Sequence, residues 1–363
     1  MVKLLRIIAS RRYDRGAKNR AGRKMLVKEA LKLYDLELFD LGKRANKIRR
    51  EYHGRKVFYN RNRHINPTNI CVDRCRFCGF SAHRKNPNPY VLSAEEIVQT
   101  AIDARKRGAK EVHIVGAHNK KLGLEWYFDT FKAVKNAASD IHLKAMTAAE
   151  AEFLARTYNL TFDEILDRMI KSGVDSMPGG GAEIFDETLR KEICGGKVKS
   201  ADWLLIHELW HKRGRKSNAS MLFGHIETRE HRVDHLLRLR ALQEKTGGFN
   251  AFIPLLYQTK NNFLDIKKPI DAEEILKTIA ISRIILDNIP HIKAYWVGLT
   301  LNLALVAQEF GADDMDGTIE RESINSAAGA ASANGVSEKL MRDLITNAGF
   351  TPIERDSMYK EIG

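Results

Sequence analysis

The chain has 363 residues, of which 44% are hydrophobic and 29% charged, a balance typical of a globular protein with a sizeable core. No apolar run approaches the roughly 18 residues that a membrane-spanning helix needs, so such a span is excluded. With only four cysteines the chain has no disulfide framework, which fits a reducing cytoplasm. The formal net charge of +14 is concentrated at one end of the sequence.

Residues 1–24 hold nine Lys/Arg and one Asp and are predicted to form a basic, disordered extension. Basic arms can bind nucleic acid or anionic surfaces. However, this block leaves only +6 of the +14 for the rest of the chain, which argues against a nucleic-acid-binding function. Met25 opens an amphipathic helical pattern that runs to residue 54, and it is an alternative start of translation. Residues 25–363 contain no linker and are predicted to form one domain.

From residue 64 onward, short apolar or β-branched runs alternate with helical patterns, which is typical of repeated β/α units. Two of the helices carry predicted N-caps, Ser93 with Glu96 and Asp271 with Glu274. The pattern predicts a (β/α)8 TIM-type barrel over about residues 60–335, with a helical tail after it. A doubly wound open sheet is the alternative, but no GxGxxG fingerprint follows a strand. The eight predicted strands are 64–70, 111–117, 141–146, 174–179, 218–224, 249–257, 291–297 and 312–317.

Three cysteines follow the first predicted strand with the spacing Cys71-x3-Cys75-x2-Cys78. Three thiolates this close together can bind three irons of a cubane cluster and leave the fourth iron open to a small molecule. Zinc sites usually need a second arm of Cys or His ligands, and the remaining cysteine, Cys194, has no cysteine near it in the sequence. The motif therefore favours a [4Fe–4S] cluster, with a zinc site or core packing as the alternatives.

In a barrel of this kind the loops that follow the strands form the active site. The glycine run 179–181 is either a plain turn or a place where the backbone approaches a ligand closely. On an extended segment His225 and Glu227 face the same way, as substrate contacts or as a structural pair. Asp316 and Thr318 either orient a polar substrate or belong to an acidic turn. The polar or glycine-rich candidates after the strands are Gly116, Ala117, His118, Gly180, Glu183, His225, Glu227, Asp316 and Thr318.

Residues 207–211 also match the HExxH pattern, in which two histidines bind zinc and the glutamate acts as a general base. The barrel interpretation places this segment on an outer helix, far from the strand ends. A zinc peptidase is the alternative, and metal analysis would test it.

The cysteine spacing after a first barrel strand, with Phe77 before the last cysteine, resembles the radical S-adenosylmethionine (SAM) superfamily. The segments SMPGGGAEIF, MLFGHIET, HIKAYW and GADDMDGT extend the resemblance over about residues 50–350. They are similar to the radical SAM group of menaquinone-futalosine and deazaflavin biosynthesis. That group includes aminofutalosine synthases, cyclic dehypoxanthinyl futalosine synthases and deazaflavin-precursor synthase subunits. Ser81, the FIPL run at 252–255 and Asp316 favour the first of these.

The resemblance implies a [4Fe–4S] cluster on Cys71, Cys75 and Cys78, with SAM on the open iron and a 5′-deoxyadenosyl radical released by reduction. In aminofutalosine synthases this radical adds to 3-[(1-carboxyvinyl)oxy]benzoate, an enolpyruvyl benzoate. Aryl migration and decarboxylation then give 6-amino-6-deoxyfutalosine. The resemblance thus implies a cytoplasmic, C–C bond-forming transferase of menaquinone biosynthesis. It also implies an electron donor of the flavodoxin or ferredoxin type.

The resemblance further implies roles for individual residues. The Phe77 backbone would lie by the adenine of SAM, and the Gly116–Ala117 edge would take its amino end. Gly180 would approach SAM closely, and Glu183 would contact its ribose or amine. The two substrate carboxylates also call for cations, and the placement of Arg84 and Lys144 in the sequence makes either a candidate. An RNA-associated iron–sulfur protein that uses the basic N-terminus is the alternative from a different class. The residues expected to hold the substrate are His118, His225, Glu227, Asp316 and Thr318.

Overall fold

The computed structural model describes residues 26–83, 85–266, 268–319, 322–330 and 335–362. The predicted extension 1–24, Met25 and the candidate Arg84 lie outside these residues. Among the described helices, none is both long and apolar enough to cross a membrane.

The described strands and helices alternate along most of the chain. The strands are β1 Lys56–Asn60, β2 Asn62–Ile65, β3 Glu111–Ile114, β4 His142–Ala145, β5 Ser176–Met177, β6 Lys216–Phe223, β7 Phe249–Leu256, β8 His291–Ile292, β9 Asp314–Gly317 and β10 Thr351–Glu354. The α-helices are α1 Leu38–His53, α2 Ala94–Lys106, α3 Leu124–Ala137, α4 Ala148–Tyr158, α5 Phe162–Lys171, α6 Glu187–Cys194, α7 Ser200–Lys212, α8 Arg229–Thr246, α9 Ala272–Ile285, α10 Trp296–Leu299, α11 Leu301–Ala307, α12 Ile324–Ala327 and α13 Glu338–Asn347.

Strands β2 to β8 form one parallel sheet in which each strand pairs with the next one in the chain. A parallel bridge between Lys293 and Asp314 connects the segment after β8 to β9. On its other side β9 pairs with β1. Just after β9, the Ile319 N–H donates to Oδ1 of Asn62, the first residue of β2, at 2.9 Å. This sequential order is that of a TIM-type barrel, and it excludes the doubly wound sheet. The predicted fold class is confirmed, and each predicted strand overlaps one of β2 to β9.

Strand residues alternate between the barrel interior and the packing surface under the helices. On β3, Val112 and Ile114 are buried in the core, whereas Glu111 and His113 line a cavity inside the barrel. The capping box of Ser93 and Glu96 at the start of α2 is confirmed, and the Asp271 side chain accepts from the Glu274 N–H at α9. These caps hold helices against the sheet so that the strand ends converge on one cavity.

Most predicted strands are shorter in the structure, and for two of them the cause is local. The first ends at Ile65, two residues before Pro67, which has no N–H to donate to a neighbouring strand. The chain then continues as a loop to the cysteines. The strand predicted at 291–297 stops pairing at Lys293, because α10 begins at Trp296. The Trp296 indole N–H donates to the Gly317 carbonyl at 2.8 Å and holds this turn against β9.

The ends of the described chain depart from the prediction. The helix predicted over 25–54 is interrupted, because Leu36 and Glu37 are extended, with ψ of 147° and 139°. At this break Lys277 Nζ donates to the Tyr34 carbonyl at 3.1 Å. The tail predicted as helical contains α13 but also β10, which pairs in parallel with β1. Arg355, next to β10, donates to Asp314 Oδ2 at 2.6 Å, and both side chains are fully buried.

Candidate active site

One cavity of about 280 Å³ joins the cysteine loop to the interior of the barrel. Its wall includes side chains from β2, β3, β6, β7 and β9 as well as the loops that follow them. It brings together most of the site residues that the sequence predicts. Those that line it are Cys71, Cys75, Phe77, Cys78, Gly116, Ala117, His118, Lys144, Gly180, Glu183 and Asp316.

The cysteine loop presents three free thiols to this cavity. Cys75 is buried, Cys71 and Cys78 are partly exposed, and Cys194 is a buried free thiol outside the cavity wall. Burial raises the pKa of the Cys75 thiol well above its ordinary value, so metal binding must displace its proton. The Ser81 N–H donates to Cys78 Sγ at 3.4 Å, a contact of the kind that tunes cluster potentials. Three thiols facing one cavity, with no fourth in its wall, fit a cubane cluster with one open iron.

His118 lies beside the cysteine loop and fixes it to β3. Its Nδ1 is 2.7 Å from Asp73 Oδ2, and its ring stacks on Phe153 at 4.7 Å. The His118 carbonyl also accepts from the Val72 N–H at 3.1 Å. Burial would raise the pKa of Asp73, but the neighbouring His118 outweighs it and lowers that pKa. The side chain predicted to hold substrate therefore already has a partner in the loop.

The backbone edge Gly116–Ala117 has both amide groups in use. The Gly116 N–H donates to Glu150 Oε1 at 2.9 Å, and the Ala117 N–H donates to the Thr68 carbonyl at 3.1 Å. The second oxygen of Glu150 accepts from the Thr147 N–H and hydroxyl, both at 2.8 Å, at the start of α4. Only carbonyl oxygens of this edge are therefore left for a ligand, which suits a cationic amine.

Glu183 and Lys197 form an ion pair beside the cysteines. Lys197 Nζ is 2.6 Å from Glu183 Oε1 and 5.7 Å from the centre of the Phe77 ring. Burial opposes both charges, yet Glu183 raises the pKa of Lys197 well above its ordinary value, and Lys197 lowers that of Glu183. Both groups are charged at neutral pH. Lys197 was not among the predicted site residues, because it follows a helix rather than a strand.

Two further ion pairs lie inside the barrel. Lys144 Nζ is 2.6 Å from Glu111 Oε2, and Lys293 Nζ is 2.9 Å from Asp316 Oδ1. Burial would raise the pKa of Asp316, but the charges of Lys293 and its cationic neighbours lower it to about 2. Each ammonium has three N–H donors, so each keeps donors for a bound anion.

His64 and His113 lie between these pairs, with ring centres 4.7 Å apart. Burial lowers the pKa of both rings, so they are neutral at pH 7. Of the polar groups lining the barrel interior, Glu111, His113 and Lys293 were missed. A signal was present, because Glu111-x-His113 and Lys293-x-Tyr295 place polar groups at alternate strand positions, all on one face.

Three predicted residues lie outside the cavity wall. His225 and Glu227 follow β6 in a tight turn, so the spacing rule for extended chain does not apply to them. Glu227 accepts from the Gly224 and His225 amides at 2.6 and 2.8 Å and pairs with Arg232 Nε at 2.6 Å. Thr318 is buried behind β9, with its N–H on the Asn60 carbonyl at 2.9 Å. The cavity wall does not include these three residues, and the contacts described here are with protein groups, so their contact with substrate stays a prediction.

The HExxH segment does not form a zinc site. His207 Nδ1 and His211 Nε2 lie 2.8 and 2.7 Å from the same Ser217 hydroxyl, and both rings are buried. Glu208 pairs instead with Lys212 and Lys245, at 2.8 and 2.5 Å. Within the described ranges no third metal-binding side chain joins the two histidines. The metallopeptidase alternative is therefore not supported.

Comparisons with known proteins agree with this geometry. Residues 65–239 match the radical SAM superfamily, and residues 246–362 match the CofH/MqnC C-terminal region. The chain is 36% identical over 348 residues to aminodeoxyfutalosine synthase of Thermus thermophilus, covering 94% of this chain and 93% of that protein. It is 37% identical over 357 residues to the enzyme of the same name from Streptomyces coelicolor, covering 94% and 92%.

A second kind of relative is equally similar. The chain is 39% identical over 345 residues to 5-amino-6-(D-ribitylamino)uracil–L-tyrosine 4-hydroxyphenyl transferase of Methanocaldococcus jannaschii, covering 92% of this chain and 96% of that one. Among solved structures, methylornithine synthase (PylB) has a TM-score of 0.72 at 16% identity, covering 96% of this chain and 97% of that one. The hydrogenase maturase HydG has a TM-score of 0.71 at 15% identity, covering 97% and 79%. These structures share the fold.

A parallel barrel with a three-cysteine loop after its first sequential strand, open to an interior cavity, is the architecture of a radical SAM enzyme. The chain belongs to the radical SAM superfamily, in the group that carries the CofH/MqnC C-terminal region. Enzymes of this family use a [4Fe–4S] cluster and SAM, and act as synthases or transferases.

Proposed function

We propose that this enzyme is an aminofutalosine synthase of menaquinone biosynthesis. It would join the 5′-deoxyadenosyl group of SAM to 3-[(1-carboxyvinyl)oxy]benzoate and give 6-amino-6-deoxyfutalosine with loss of one carboxylate. When bound at Cys71, Cys75 and Cys78, the cluster supplies the electron that generates the radical from SAM. The observation that carries the proposal is that one cavity connects these cysteines to two buried lysines, Lys144 and Lys293. Full-length similarity to two synthases of this name supports it.

The lysines suit an acceptor with two carboxylates. Lys144 and Lys293 enter the cavity from β4 and from the segment after β8, and each has one protein carboxylate as partner. Their remaining N–H donors would each bind one substrate carboxylate. The neutral rings of His64 and His113 would hydrogen-bond the acceptor without adding charge. Asp316 would act through Lys293, whose ammonium it holds in place.

The opposite end of the cavity would hold SAM. The carbonyl edge of Gly116–Ala117 would accept from the ammonium of SAM, while Phe77 and Gly180 would bound its adenosyl group. Glu183 would contact the ribose hydroxyls or the amine, with Lys197 holding its carboxylate charged and oriented. His118 would position the loop through Asp73 rather than touch the acceptor.

A second candidate is favoured by the 39% identity to the Methanocaldococcus transferase. In this alternative the acceptor is 5-amino-6-(D-ribitylamino)uracil, L-tyrosine is the donor of the 4-hydroxyphenyl group, and SAM is cleaved to free 5′-deoxyadenosine. Cyclic dehypoxanthinyl futalosine synthase activity is a third possibility and also releases 5′-deoxyadenosine. The fate of the adenosyl group therefore separates the first proposal from the other two.

Anaerobic product analysis tests the proposal. The reconstituted enzyme is given SAM, dithionite and the enolpyruvyl benzoate, and in a parallel reaction L-tyrosine with the ribitylaminouracil. We expect an adenosyl adduct in the first reaction and no coupled product in the second, by mass spectrometry. Free 5′-deoxyadenosine as the sole adenosyl product would contradict the proposal. As controls, Cys75→Ala should lose iron and product together, whereas Cys194→Ala should keep both, because Cys75 lines the cavity and Cys194 does not.

A further inference from the structure

The outer side of the cysteine loop is an exposed surface built from three segments. We define the cluster face as the exposed residues of 71–78, 118–121 and 191–199. Direct contacts hold the segments together. The Val72 N–H donates to the His118 carbonyl at 3.1 Å, and the Arg76 N–H donates to the Ile193 carbonyl at 2.8 Å. At Gly196 an added Cβ would lie 3.3 Å from the Asp73 carbonyl oxygen, so these two segments are in close contact.

The cluster face is strongly basic. Its only exposed carboxylate is Glu192, 3.1 Å from Arg76 Nη1. The adjoining segment 260–266 adds one exposed cation, Lys260, and one exposed carboxylate, Asp265, which cancel. The whole chain outside residues 1–24 carries only +6, so this small surface holds most of that excess. The exposed cations of the face are Arg74, Arg76, Lys120, Lys121, Lys191 and Lys199.

The cluster face also contains an exposed apolar group and lies directly over the cluster ligands. Val72 is 40% exposed and is the neighbour of Cys71 in the chain. An apolar residue with a charged rim is typical of protein contact sites. The cysteines face the interior cavity, which leaves the outer side of the loop as a short route for an electron that does not cross the substrate site.

We propose that the cluster face is the docking surface for an acidic one-electron carrier protein. Charge complementarity accelerates such encounters, and interfaces between redox partners are small. The transfer moves one electron from the reduced carrier to the oxidised cluster, and no bond or proton changes place. A single-stranded nucleic acid fits less well, because Phe77, the one Phe, Tyr or Trp in the three segments, is half-buried and lines the cavity. The proposal does not depend on which acceptor the enzyme uses.

Charge reversal tests the proposal without any substrate. The full-length enzyme with its reconstituted cluster is mixed anaerobically with a reduced acidic flavodoxin, and bleaching of the cluster absorbance is followed by stopped flow. In the triple variant Arg74→Glu, Lys120→Glu, Lys191→Glu we expect the bimolecular rate constant at low salt to fall at least about 10-fold. Its dependence on salt should also flatten. Reduction by dithionite should be unchanged.

Two further variants make the result unambiguous. If the triple variant loads less iron, the double variant Lys120→Glu, Lys191→Glu leaves the cysteine loop intact and should still slow reduction several-fold. The matched control Lys43→Glu, Lys47→Glu, Lys339→Glu changes the net charge equally, on α1 and α13, and should reduce at the normal rate.

Equal slowing in this control would overturn the proposal, because the carrier would then respond to the net charge of the enzyme and not to the cluster face. An unchanged rate in the triple variant would overturn it too. So would loss of binding to a single-stranded RNA oligonucleotide while carrier reduction stays normal. Loss of the adenosyl adduct with normal reduction kinetics would count against the proposed reaction instead.

Discussion

His211 shows how the surroundings of one residue decide the chemistry of a motif. Its Nε2 is 2.7 Å from the Ser217 hydroxyl and its Nδ1 is 2.8 Å from the Thr246 hydroxyl. Burial, with a smaller contribution from Lys216, lowers its pKa to about 3, so the ring is neutral at neutral pH. In an unfolded chain a histidine titrates near pH 6.5. Between these values only the unfolded state binds the proton, so stability is lost as the pH falls below about 6.5.

We expect this single ring to contribute measurably to acid sensitivity. On going from pH 7 to pH 5, the wild-type protein should lose about 2 kcal/mol more unfolding free energy than His211→Gln, which cannot titrate. Urea unfolding of both proteins at the two pH values measures the difference. Because each protein is compared with itself, the direct packing cost of the substitution cancels. An identical pH dependence in the two proteins would contradict the expectation.

Among individual site residues, the sequence predicted those whose role depends on their spacing along the chain. Cys71, Cys75 and Cys78 face one cavity because eight residues of loop cannot separate them far. His225 and Glu227 could not be placed, because a turn after Gly224, with φ of 85°, redirects both side chains. Lys197 could not be found from spacing at all, since its partner Glu183 belongs to another loop.

Among the elements, the turn after β5 depends on its glycines for packing. A Cβ on Gly179 would lie 2.7 Å from the Ala219 carbonyl carbon of β6, and one on Gly181 would lie 2.6 Å from the Ala149 Cβ. Gly181 also has φ of 88°, a conformation that side chains disfavour. The structure thus supports a tight turn, and because all three glycines also line the cavity, the run still brings the backbone to the site.

Gly179→Ala should therefore destabilise the protein by about 1–3 kcal/mol, because the backbone of β6 has to move to admit a methyl group. Gly123→Ala is the matched control, since nothing lies within 4 Å of a Cβ there and φ is −68°. The control should change the unfolding free energy by less than about 0.5 kcal/mol. Chemical denaturation of the three proteins measures both effects. Equal stability of the two variants would refute the packing argument.

The elements that repeat were predictable, and those that occur once were not. All eight sequential strands gave a signal, because short apolar runs alternate with helical patterns along this part of the chain. β1 lies outside this repeat, and β10 contains Pro352, which counts against a strand in sequence. In the fold β10 pairs only with β1 and is therefore an edge strand, where a proline is tolerated.

For the whole molecule, the buried ion pair that joins the C-terminal segment to β9 matters most. Arg355, after β10, and Asp314, on β9, form a buried ion pair at 2.6 Å. The Arg355 guanidinium also lies 4.2 Å from the centre of the Tyr359 ring. Because both charges are fully buried, each depends on the other for compensation.

Arg355→Met should cost about 3–5 kcal/mol of unfolding free energy, since it leaves the Asp314 carboxylate buried without its counter-ion. The matched control is Lys339→Met, which removes an exposed ion pair with Asp343 on α13 and should have no measurable effect. Denaturant unfolding with the cluster in place measures both variants. A midpoint for Arg355→Met equal to that of the control would show that the pair does not hold the C-terminal segment on β9.

The position of β1 has a consequence for how the protein is made. β1 precedes its partners β9 and β10 by most of the chain, and the neighbouring contact from Asn62 to Ile319 spans 257 residues. At a synthesis rate of 5–20 residues per second, the first strand leaves the ribosome about 10–50 s before the segment that covers it. During that time both edges of this strand are open to pairing with wrong partners. The barrel can therefore close only after β9 has been synthesised, late in translation.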